Sequence, residues 1–154
     1  IHNFIKRNYK SEVMKKLKFF GAETKKNKYL SLSGEGVSAG FPSPEDDFKE
    51  SKISIDQEVV KNESATFYAR VVGQSMQGAG LDDGDLIVID RSQEPENGKI
   101  AVCYVDGEFT VKRLKVENEC MYLMPENKKY KALKVTEENQ LIIWGVVTFV
   151  IKKL

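Results

Sequence analysis

Asp106-Gly107 separates two runs, residues 99–105 and 108–114, that are rich in β-branched and aromatic side chains. An Asp-Gly pair readily takes the backbone of a two-residue hairpin, so the two runs read as adjacent antiparallel strands. Runs of the same texture occupy residues 66–72, 86–90, 120–124 and 141–151, and Val, Ile, Phe and Tyr favour the pleated, half-buried surface of a sheet. Turn signals lie between them at Asp82-Asp83-Gly84-Asp85 and Glu96-Asn97-Gly98. Strands spaced this closely argue for a mainly β fold, a twisted and partly closed antiparallel sheet.

The start of the chain has a different texture. Ile5, Tyr9, Val13, Leu17 and Phe20 recur at steps of four, four, four and three, which predicts one apolar face of a helix over residues 1–20. Nine Lys/Arg and two Glu fall within residues 1–28. A solvated basic face packing on the body explains them better than a nucleic-acid arm. Met14-Lys15-Lys16-Leu17 would serve as a natural start, so the first thirteen residues are given little functional weight. Residues 21–40 are small and polar, with Ser31, Ser33, Gly34, Gly36 and Ser38, which is the composition of a mobile linker. Ser43-Pro44-Glu45-Asp46 reads as a short helix start with Ser43 as N-cap. Asp56 is expected to cap another brief turn through Val60.

The 154 residues, 41% apolar, suit one compact domain with an arm. Twenty-four Lys/Arg against 23 Asp/Glu leave a net charge of +1, which does not indicate a globally basic nucleic-acid binder. No apolar run approaches the roughly 18 residues of a membrane span, and the uninterrupted apolar core of a signal peptide is missing. A cytoplasmic protein without membrane partners is the expectation. Cys103 and Cys120 lie in strand-like runs without a C-x-x-C spacing, as reduced core thiols would. With His2 as the single histidine and no clustered cysteines, neither a metal site nor any other cofactor is expected. The acidic turn at 82–85 lacks the spacing of a calcium loop, and Trp144 fits a core better than a stacking platform.

Catalytic chemistry enters at Gly73-Gln74-Ser75-Met76. A serine hydroxyl is a weak nucleophile at neutral pH and needs a base within hydrogen-bond reach. His2 at the terminus is a poor candidate, whereas a lysine can serve if burial disfavours its ammonium form. Bringing a lysine from about 10.4 to near 7 costs roughly 4 to 5 kcal/mol, which a well-packed site could hold. Lys112 is the candidate, in the second strand of the Asp106-Gly107 hairpin, where it shares a side with Thr110 and Leu114. Taken singly, a serine between glycines is usually a turn residue and a strand lysine usually faces solvent. Their joint occurrence 37 residues apart, with Ala39-Gly40 in a flexible leader, lifts both above that reading.

The chain resembles the LexA/UmuD family of self-cleaving Ser-Lys peptidases (S24-type), in its UmuD branch. The resemblance runs from about Gly40 to the C-terminus. It rests on Gly40-Phe41-Pro42-Ser43-Pro44, Gly73-Gln74-Ser75-Met76, Asp83-Gly84-Asp85-Leu86 and Asp106-Gly107-Glu108-Phe109-Thr110-Val111-Lys112. Leu123-Met124-Pro125-Glu126-Asn127 and Trp144-Gly145-Val146-Val147 also fit. The resemblance implies a LexA/signal-peptidase-like sheet domain at residues 40–154 and an N-terminal leader arm, residues 1–39, removed by cutting between Ala39 and Gly40. It implies Ser75 as nucleophile, Lys112 as base, and backbone N–H groups at Gln74 and Ser75 for the oxyanion. It further implies stimulation by a RecA filament on single-stranded DNA after DNA damage, and a processed homodimer serving a UmuC-type translesion polymerase. The leader is longer than the UmuD pattern and places Ala39 where relatives often have cysteine; Ala-Gly is the LexA choice. Residues before Ala39 show no helix-turn-helix pattern, so direct sequence-specific DNA binding is not expected. The rival readings are a LexA-like repressor's peptidase domain, a signal-peptidase-like hydrolase, and a polymerase-binding module with idle Ser75 and Lys112.

Overall fold

Asp106 (φ 49°) and Gly107 (φ 93°) both take left-handed backbone, the geometry a two-residue hairpin requires. They are part of a computed structural model that describes residues 20–22, 30–33 and 50–154. The strands are β1 Phe20–Gly21, β2 Leu30–Ser33, β3 Glu50–Ile53, β4 Thr66–Arg70, β5 Leu86–Asp90, β6 Ile100–Val105, β7 Glu108–Glu117, β8 Cys120–Met124, β9 Leu133–Lys134 and β10 Leu141–Ile151. A short α-helix, α1, spans Ile55–Val59. Eight strands form one antiparallel sheet in the order β1-β4-β5-β10-β6-β7-β8-β9, while β2 and β3 pair as a separate ribbon. The eight-stranded sheet is open, with β1 and β9 at its edges.

Both faces of the sheet bury apolar side chains, and β6 shows how. Val102 packs with Met76, Ile87, Ile89 and Trp144, while its neighbours Ala101 and Cys103 pack with Leu114, Met121 and Leu123. That is the two-residue period of a strand covered on each side. Leu114 is fully buried, and a Leu→Ala truncation at such a site costs about 2–5 kcal/mol. In β10 the pairing with β6 slips between Ile143 and Gly145. Gly145 sits so close to β5 that an added Cβ would lie 2.6 Å from Ile89 Cγ2. At this bulge Trp144 turns into the core, its ring 5.1 Å from that of Phe67.

Four local expectations need correction. Phe20, read as the end of a helix, is strand and pairs with Tyr68. The linker composition of residues 21–40 conceals β2, whose Leu30 and Leu32 face Ile53 and Ser51 in register. Helix α1 is capped by Ser54 rather than Asp56: Ser54 keeps extended backbone (φ −107°, ψ 118°) while its carbonyl accepts the Glu58 N–H at 3.1 Å. Asp56 lies instead in the first turn, where a carboxylate suits the helix dipole. The expected strand 66–72 ends at Arg70, because Val71 and Val72 leave the ladder to begin the loop that carries Ser75. The helix expected from Ser43 and residues 1–19 fall outside the described residues.

Candidate active site

Loop 71–85 connects β4 to β5, and its conformation is fixed at both ends. Val71 N–H donates to Asp85 O and Gly84 N–H to Val71 O, each at 2.9 Å. Gly73 N–H donates to Asp83 Oδ1 at 2.7 Å, with Gly73 at φ 87°, a backbone angle that glycine adopts without strain. Met76 is buried to 2% exposure and plugs the loop into the core beside the half-buried Ser75.

A second segment grips this turn from β8. Glu126 N–H donates to Ser75 O at 2.8 Å, and Glu126 O accepts the Gly78 N–H at 2.6 Å. A Cβ on Gly78 would collide with the Glu126 carbonyl oxygen, so only glycine allows this approach. Asn127 Nδ2 donates to Gln74 O at 2.8 Å. Arg113 Nε binds Glu126 Oε1, which ties the same segment to β7 one residue beyond Lys112.

Lys112 Nζ and Ser75 Oγ lie 2.9 Å apart. Register places Lys112 opposite Ala101 and Thr110 opposite Cys103, so both point to the face that holds Cys103 and Leu114. Nζ also donates to Thr110 Oγ1 at 2.7 Å and to Val111 O at 2.9 Å. All three partners are neutral, and among the described residues no carboxylate forms an ion pair with Lys112. Burial therefore holds the Lys112 pKa below its ordinary 10.5, with the Cys103 thiolate as the opposing influence. Burial also pushes the Cys103 thiol up to about 12. At neutral pH that thiol carries no charge, and desolvation acts on the amine alone.

Ser75 and Thr110, both bonded to Nζ, border a cleft of about 110 Å³ whose walls include Val71, Ile87, Phe109 and Val111. The N–H groups of Gln74 and Ser75 donate to no other described residue. A lone pair on neutral Nζ within reach of a serine hydroxyl is an arrangement that can activate the hydroxyl for acyl transfer. No group of three or more His, Cys, Asp or Glu among the described residues could hold a metal ion.

The structure thus brings Ser75, Lys112 and Gln74 together, whereas Ala39 and Gly40 lie outside the described residues. Three residues that shape the site were given no role from sequence: Thr110, Glu126 and Asn127. Thr110 had a usable signal, since two residues along one strand share a face. Glu126 acts through its backbone and Asn127 through its side-chain amide on a turn far away in the chain, a contact that no local pattern reveals. Among the described residues no helix is long and apolar enough to cross a membrane.

The family described as Peptidase S24-like matches residues 31–148. The chain is 41% identical over 122 residues to Protein SamA of Salmonella typhimurium, covering 79% of this chain and 84% of that protein. It is 40% identical over 114 residues to Protein MucA of Escherichia coli, covering 73% and 77%. A LexA repressor of Oleidesulfovibrio alaskensis is 38% identical over 111 residues, which are 72% of this chain and 53% of the repressor.

Proposed function

The chain belongs to the S24-like peptidase family, and from that premise we propose that it cuts itself between Ala39 and Gly40 with Ser75 as nucleophile and Lys112 as base. The observation that carries this reading is the 2.9 Å approach of Nζ to Oγ by an amine surrounded by neutral groups. Neutral Lys112 takes the Ser75 hydroxyl proton as Oγ attacks the Ala39 carbonyl carbon. The resulting oxyanion is met by the Gln74 and Ser75 N–H groups. Collapse breaks the Ala39–Gly40 bond, and the Lys112 ammonium returns its proton to the departing Gly40 amine. Water, deprotonated by the same amine, then hydrolyses the Ala39 ester and frees Ser75.

The apolar walls of the cleft suit a small residue such as Ala39, and a glycine next to it lets the backbone come close. Docking of the leader would further dry Lys112, so cleavage is controlled by whatever stabilises the docked form. In this reading that trigger is a RecA filament on single-stranded DNA during the SOS response. Residues 1–39 are the leader, and 40–154 form the product, an SOS mutagenesis subunit that dimerises and joins a UmuC-type translesion polymerase in the cytoplasm. Relatives in the UmuD branch and the exposed apolar run Phe149, Val150 and Ile151 at the end of β10 support a dimer.

Incubating the full chain at alkaline pH, and at neutral pH with the filament, followed by mass spectrometry, tests this. A product beginning at Gly40 is expected. A different new terminus would displace the scissile bond, and a folded but uncut chain under both conditions would leave only a binding module.

A further inference from the structure

We infer that Asn127 is a positioning residue for the oxyanion site, holding the Gln74 carbonyl and thereby aiming the Ser75 N–H into the cleft. The inference rests on the Ser-Lys reading above. All described peptide bonds are trans, so within the Gln74–Ser75 unit the C=O and N–H point in opposite directions. Whatever fixes the carbonyl fixes the amide. Asn127 Nδ2 donates to that carbonyl at 2.8 Å. The donor is itself held, because Asn127 Oδ1 accepts the Lys129 N–H at 3.0 Å and Asn127 O accepts the Tyr130 N–H at 3.0 Å.

The neighbouring peptide is treated in the same way. Glu126 N–H donates to Ser75 O at 2.8 Å, so consecutive residues capture the carbonyls on both sides of the nucleophile's Cα. The Gln74 and Ser75 N–H groups, by contrast, donate to no described residue. Ser75 and Gly73 line the cleft and Asn127 does not, so Asn127 holds the carbonyl from outside the cleft. An N–H aimed before the reaction begins needs no reorganisation as charge develops, and that is where such donors gain their effect. Through Glu126 and Arg113 the same segment is joined to the strand carrying Lys112, so the donor, nucleophile and base share one anchor.

Two substitutions isolate the donor. Asn127→Asp keeps the shape and the acceptor for the Lys129 N–H, and Asn127→Leu keeps the shape without adding charge; the losses common to both are the bond to Gln74 O and the weaker contact to Gln77 Oε1. In the full chain, the plateau rate of spontaneous cleavage at alkaline pH should fall about ten- to a hundredfold in both, short of the ~10²–10³ lost when an oxyanion donor is removed outright. The midpoint of the pH profile should stay in place in Asn127→Leu, because Lys112 keeps its surroundings, and the Ser75 amide resonance should move. Gln77→Ala removes the weaker contact of Asn127 Nδ2, at 3.4 Å, and should keep the rate within about twofold. A plateau like that of the unsubstituted chain in both Asn127 variants would overturn the inference. So would an equal fall in Gln77→Ala or an unmoved Ser75 amide resonance. If the unsubstituted chain is folded yet uncut, the Ser-Lys reading fails, and the amide resonance alone decides the role of Asn127.

Discussion

Two lysines flank loop 71–85, and the protein treats them in opposite ways. Lys152 donates to Asp82 Oδ2 at 2.5 Å and to Asp85 Oδ2 at 2.6 Å, and these hydrogen bonds hold its pKa above the ordinary 10.5. Lys112 meets a serine hydroxyl, a threonine hydroxyl and a carbonyl, and burial holds its pKa below that value. Both amines make short hydrogen bonds, so hydrogen bonding alone does not make a base. The difference is formal charge on the partners: carboxylates stabilise the ammonium, whereas neutral oxygens in a dry setting do so far less. One loop therefore holds a clamp at its base and presents Ser75, the proposed nucleophile, to Lys112.

The severest way to break this contrast is to remove one of the two proposed reacting groups. Ser75→Ala or Lys112→Ala should slow self-cleavage by more than about a thousandfold, measured as the uncut fraction over time with the filament present. Next in size is turning Lys112 into a second Lys152. Thr110→Asp places a carboxylate where Oγ1 now sits 2.7 Å from Nζ, and an opposite charge at that range raises a pKa by about 1–3 units toward the charged form. The cleavage rate at pH 7 should fall roughly ten- to a thousandfold and recover as pH rises; an unchanged pH profile would refute the role given to charge.

The smallest effect on cleavage belongs to the clamp. Asp85 is held below its usual 3.8 by the Lys152 ammonium and the Asp82 N–H. Its contribution to stability is thus full above about pH 3.8 and is lost as pH falls through the lower folded value. Lys152, shifted the other way, contributes fully below 10.5 and loses that contribution as pH rises through its higher folded value. Denaturant unfolding across acid pH should show a flatter stability curve in Asp85→Asn than in the unsubstituted chain, with cleavage near its normal rate.

How much of this was legible in the sequence varies along the chain. Residues 86–90, 120–124 and 141–151 are dense in β-branched, sulfur-containing and aromatic side chains, and the observed β5, β8 and β10 have those bounds. Strand β2, Leu-Ser-Leu-Ser, has the right alternation but serines that also suit a linker, and its partner Glu50–Ile53 lies seventeen or more residues away. Strand β9 has only two residues, too few for any periodicity. Ser75 and Lys112 stood out as residue types, yet both faces of β7 are mixed, so alternation could not say that Lys112 is half-buried. That depends on loop 71–85 folding across β7, a contact between residues 37 apart. The clamp is equally non-local, since Lys152 lies 67 residues from Asp85.

The central claim is that Lys112 is poised to lose its proton, and an NMR titration of the lysine amines in the Ser75→Ala chain addresses it most directly, because that chain stays intact while Lys152 serves as an internal reference. The expected result is a Lys112 midpoint below 10.5 and a Lys152 midpoint above it. A Lys112 midpoint at or above 10.5, level with that of Lys152, would contradict the account.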